Sequence, residues 1–128
     1  MEDLGLRILI VEDEPLIALD LEDLAAEAGH EVVGRVANGT DAIGLAELHR
    51  PNLVLMDIGL AGEMDGVAAA KAIYDRWAIR SLFLSANSQH FRDTAAAAHP
   101  FGFLLKPVTP RQLLQALAEV ARQLTRGA

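Results

Sequence analysis

The chain has 128 residues, 52% of them apolar, and carries a net charge of −7 with no cysteine. That size and apolar share fit one domain with a real core (residues 1–128 as a single unit) and argue against disorder; the missing cysteine excludes disulfides, thiolate metal sites and a cysteine nucleophile. The acidic balance argues against direct nucleic-acid binding, and with neither an apolar run near the roughly 18 residues of a membrane span nor a signal-like N-terminus, a cytoplasmic protein with no membrane insertion is expected.

The predicted elements alternate between strand and helix. Residues 6–11 form an apolar, β-branched strand that runs into Glu12-Asp13-Glu14. Pro15 suits a first helical turn, Ile17, Leu21, Leu24 and Ala28 follow at helical spacing, and Gly29 closes the helix. A second strand covers Glu31 to Ala37, broken by Asn38-Gly39, and Thr40 can cap a helix to about His49. After Pro51 comes the strand Leu53–Met56, ending in Asp57. A loop from Gly59 to Gly66, with Asp65 as a helix cap, leads to an Ala-rich helix ending near Trp77. Arg80 to Leu84 is a fourth strand, and Ser88 can cap a short helix through Ala98. The fifth strand, Phe101–Leu105, ends in Lys106-Pro107. Thr109-Pro110-Arg111-Gln112 is a capping box ahead of the stripe Leu113, Leu114, Leu117, Val120, Ala121 and Leu124.

Five strand–helix units predict a parallel α/β sheet with helices on both faces. The strands are uniformly apolar, as strands covered on both sides should be. In such folds ligands bind beyond the carboxyl ends of the strands. The acids after strands one and three, Ser85 after strand four and Lys106 after strand five all fall at that edge. Crowded carboxylates repel unless a cation holds them, so a hard-metal site beside a reactive aspartate is one reading. Each residue also has a plainer one. Glu12-Asp13-Glu14 could favour a helix N-terminus through its dipole. Asp57 and Ser85 could be ordinary strand-end residues, Lys106 a surface lysine, and Phe103 a core aromatic. The four histidines show no ligand spacing and read as surface or loop residues.

In this order, ILIVEDE at 8–14, LVLMDI at 53–58, MDG at 64–66, LFLSA at 82–86 and FLLKP at 103–107 resemble the receiver domain of bacterial two-component response regulators. The resemblance implies a doubly wound, flavodoxin-like sheet in the order 2-1-3-4-5. It also implies that Asp57 accepts a phosphoryl group from a histidine kinase or histidine phosphotransfer protein. Glu12, Asp13, Asp57 and the backbone carbonyl of Gly59 would hold Mg²⁺, with Mn²⁺ or Ca²⁺ as substitutes. Lys106, joined to Pro107 by a cis bond, would pair with the phosphoryl oxygens. Ser85 would be the switch hydroxyl and Phe103 the switch aromatic. The responding face would be residues 88–98, 101–105 and 110–124, turned toward a downstream protein that the sequence does not name. Only four residues follow Leu124, so a stand-alone receiver, monomeric or weakly dimeric, is expected.

The chain departs from the common pattern at four places. Glu12 replaces an aspartate, Ser85 a threonine, Ala61 a frequent proline, and His99-Pro100 the usual pair before strand five. Two other readings compete. One is a degenerate receiver that binds partners without phosphorylation. The other is a haloacid dehalogenase-type phosphatase, which would need a second acid where Gly59 stands and a nucleophile on the first strand. The receiver reading makes the chain a signalling module that promotes its own phosphorylation and dephosphorylation, not an enzyme acting on other substrates.

Overall fold

The computed structural model describes residues 5–60, 64–86 and 95–127. Five strands, β1 (Arg7–Val11), β2 (Glu31–Val36), β3 (Leu53–Asp57), β4 (Ser81–Ser85) and β5 (Gly102–Leu105), form one sheet in the order β2-β1-β3-β4-β5. Every neighbouring pair is parallel. The described helices are α1 (Pro15–Glu27), α2 (Gly39–His49), α3 (Gly66–Trp77) and the C-terminal helix α4 (Pro110–Gly127).

Alternation along the strands builds two cores. Leu9, Val11, Val54, Met56 and Phe83 face α2 and α3, while Ile8, Ile10, Leu53, Leu55, Leu82 and Leu84 face α1 and α4. Each such side chain contributes about 1.5–3 kcal/mol by leaving water. The interiors of the three central strands, Ile8–Val11, Leu53–Met56 and Leu82–Leu84, therefore stay apolar in sequence and almost fully buried.

Local chemistry sets the helix boundaries. Asp65 Oδ1 accepts from Ala68 N–H at 2.7 Å and caps α3. Thr109 and Gln112 close the expected capping box, with each backbone N–H donating to the other's side chain. Gly29, at φ 94°, turns the chain out of α1.

Two expectations are corrected. The cap of α2 is Asn38, not Thr40: its Oδ1 accepts from Asp41 N–H at 2.8 Å, so the helix starts at Gly39. The buried stripe of α1 is Ala18, Leu21 and Ala25, with Leu24 packed partly against it, while Ile17 and Ala28 are exposed. Small residues let α1 lie close to the sheet and turn Leu16, Ile17 and Leu19 toward solvent. Of the predicted helix at 88–98, only the end is described, as a single 3-10 turn at Ala96–Ala98. Ser88 and Ala61 lie outside the described residues.

Candidate functional site

Strand order reverses beside β1, which pairs with β2 on one side and β3 on the other. Val11 lies opposite Met56, so the next residues of the two strands, Glu12 and Asp57, emerge side by side. Glu12, Asp13 and Asp57 each place one carboxylate oxygen within 4.8 Å of the others. Glu12 and Asp57 are buried at 2% and 3% exposure, and Asp13 is half-buried.

Each acid is held by named groups. Glu12 Oε2 accepts from the backbone N–H of Glu14 at 3.1 Å. Asp57 accepts at Oδ1 from the backbone N–H of Gly59 at 3.0 Å. Gly59 thus enters the site through its N–H; its expected role as a carbonyl ligand concerns a different atom. Lys106 Nζ lies 3.0 Å from Glu12 Oε1 and 3.2 Å from Asp57 Oδ2. Its backbone N–H donates to Ser85 O at 2.8 Å, and the Lys106–Pro107 bond is cis.

The charges do not balance. One lysine faces three carboxylates. Burial pushes the Glu12 carboxyl above its ordinary value, Asp57 adds to the rise, and Lys106 and the Glu14 N–H oppose it without cancelling it. Burial works to lower the Lys106 pKa, but the two carboxylates more than reverse this and raise it. The site therefore keeps the lysine charged and still holds excess negative charge. A cluster of carboxylate oxygens with that excess fits a hard divalent cation.

Ser85 is buried at the end of β4, and Phe103 packs on Phe83 with ring centroids 5.5 Å apart. Beside Lys106 a groove of about 590 Å³ is lined by Leu16, Ile17, Leu21, Leu84, Pro107 and Val108, with Asp20 among them. The sequence reading missed this groove. Its signal was Leu16 and Ile17, adjacent apolar residues that one buried stripe cannot both join. It also missed His30, whose Nδ1 accepts from Leu6 N–H at 3.0 Å. No described helix is long and apolar enough to cross a membrane.

A family model described as the response regulator receiver domain matches residues 8–118. The transcriptional regulatory protein PdtaR of Mycobacterium tuberculosis is 40% identical over 114 residues, 87% of this chain and 54% of that protein. The chain thus spans about half the length of that relative. Chemotaxis protein CheY of Thermotoga maritima is 32% identical over 121 residues, 93% of this chain and 100% of that one. Among solved structures, the signal receiver domain of a modulated diguanylate cyclase from Desulfovibrio desulfuricans G20 superposes with a TM-score of 0.88 at 28% identity, covering 98% of this chain and 100% of that one.

Proposed function

The chain belongs to the response regulator receiver family, and from that premise we propose that it is a single phosphorylatable receiver unit with Asp57 as the acceptor. The observation that carries this is the convergence of Glu12, Asp13 and Asp57 within 4.8 Å, with Lys106 bridging two of them.

A carboxylate oxygen of Asp57 attacks the phosphorus of a phosphohistidine on a histidine kinase or phosphotransfer protein. An O–P bond forms, the P–N bond breaks, and the imidazole leaves. Glu12, Asp13, Asp57 and the Gly59 carbonyl would hold Mg²⁺, and Mn²⁺ or Ca²⁺ could take its place. Bound there, the ion would offset the charge on the transferring group. Lys106 supplies a positioned positive charge 3.2 Å from Asp57 Oδ2. Gly59 N–H keeps the carboxylate oriented. The acceptor itself sits at 3% exposure.

The output is a population shift. Ser85 and Phe103, on adjacent strands, act as the switch hydroxyl and switch aromatic. They pass the change to a face that includes β5 and the C-terminal helix, where a downstream protein binds. The haloacid dehalogenase reading goes no further, since the family match extends over residues 8–118.

Incubation with acetyl phosphate and Mg²⁺ should add one phosphoryl group by intact mass, and Asp57→Asn should abolish the addition. No modification with any phosphodonor or divalent ion would favour the degenerate receiver instead.

A further inference from the structure

β5 is held on one side only. It lies at the edge and bonds only to β4. Its first residue, Gly102, has no side chain to pack, and Pro100 before it has no N–H to donate. Where the residues of β3 and β4 are all buried, those of β5 are partly exposed throughout. His99 adds strain, with φ at 51° in the left-handed region. Yet Lys106, one residue past the end of this strand, must meet Glu12 and Asp57 closely.

One side chain compensates. Arg80 Nε donates to His99 O at 2.6 Å and Nη2 to Pro100 O at 3.3 Å. Its guanidinium also lies 4.1 Å from the Phe101 ring centroid. A single arginine thus grips three consecutive residues at the start of β5. The grip is anchored, because Arg80 O accepts from Val54 N–H of central β3 at 3.2 Å. Tyr74 of α3 stacks on His99 at 4.5 Å and closes the cluster from the helix side. Beyond it, Phe101 N–H to Ser81 O and Lys106 N–H to Ser85 O, both 2.8 Å, hold the two ends of the strand on β4.

We propose that Arg80 is a positioning residue of the phosphorylation site, holding the start of β5 so that Lys106 at its far end meets Glu12 and Asp57. This rests on the function proposed above. A planar, forked donor is needed to reach two successive carbonyls, and lysine would not replace it.

A double-mutant cycle tests the proposal with beryllofluoride plus Mg²⁺, an unreactive phosphoryl mimic, as the probe. Arg80→Met should weaken its binding about five-fold, and should weaken it no further in a Lys106→Ala background. Hydrogen exchange at the amides of residues 101–106 should speed up about ten-fold in Arg80→Met. If Arg80→Met does not fold, Arg80→Lys, which keeps a cation over Phe101 but loses the fork, carries the same cycle. An undiminished five-fold loss in the Lys106→Ala background would overturn the proposal, because Arg80 would then act independently of the lysine. Unchanged binding and exchange in Arg80→Met would overturn it as well. Failure of the wild-type chain to bind beryllofluoride would overturn the function above, and the role of Arg80 with it.

Discussion

Glu12 shows how a single residue is fixed before any ligand arrives. One carboxylate oxygen takes the Glu14 N–H and the other takes Lys106, while burial keeps pushing its pKa upward. Two other residues give cleaner tests, because they lie away from the acids. His30 Nδ1 accepts from Leu6 N–H, so the fold needs the neutral ring. Burial lowers its pKa below the ordinary 6.5. The unfolded chain then takes up a proton before the folded one does. Stability is full above 6.5 and is lost as pH falls through that value toward the lowered one. Urea midpoints measured between about pH 8 and pH 5 should fall more steeply for the wild type than for His30→Gln, which can accept the same bond without titrating. Parallel profiles would refute this. Ser81 Oγ is buried with no hydrogen-bond partner, alone in this among the described buried side-chain atoms. Ser81→Ala should raise stability by about 1 kcal/mol, seen as a higher urea midpoint at unchanged slope.

At the scale of elements, the join between β3 and α3 is the tightest constraint. A Cβ on Gly66 would collide with the Asp57 carbonyl oxygen and press on Ile58 Cα, whereas one on Gly59 would meet Asp57 Oδ1 at an ordinary 3.7 Å. Gly66→Ala should therefore cost about 2 kcal/mol or more and slow phosphorylation of Asp57, while Gly59→Ala should leave the unfolding midpoint nearly unchanged. Equal midpoints for the two variants would contradict this. The same region shows what sequence can and cannot reveal. Runs such as Leu53–Met56 and Leu82–Leu84 are legible because burial on both faces demands unbroken apolar character. The acids at their ends are legible because charge at a strand terminus is conspicuous. The cap of α2 was misread because Asn38 and Thr40 both suit that role, and only backbone geometry chooses between them. The rotation of α1 was misread because alanine serves a close-packed helix face as well as leucine does. Arg80 was invisible as a clamp, since its partners are backbone carbonyls nineteen and twenty residues away, which leave no pattern in the sequence.

For the whole molecule, the excess of carboxylates makes stability depend on what neutralises them. Glu12 and Asp57 side chains are 0% and 5% exposed beside Lys106. Lys106→Met should lower stability by about 3 kcal/mol in chelator, because it leaves buried charge unpaired. Mg²⁺ at a hundred times its dissociation constant should stabilise the wild type by about 2.7 kcal/mol. Thermal midpoints with and without Mg²⁺ check both statements, and a midpoint indifferent to Mg²⁺ in the wild type would contradict the cation site. The bridge has one more consequence. Lys106 and Glu12 are 94 residues apart in sequence, so the lysine that completes the site is made well after the acids it pairs with. During synthesis on the ribosome, β1 and β3 can meet long before Lys106 emerges. A nascent chain would therefore carry its acids together without their counter-charge, and the site would be complete only once β5 has joined the sheet.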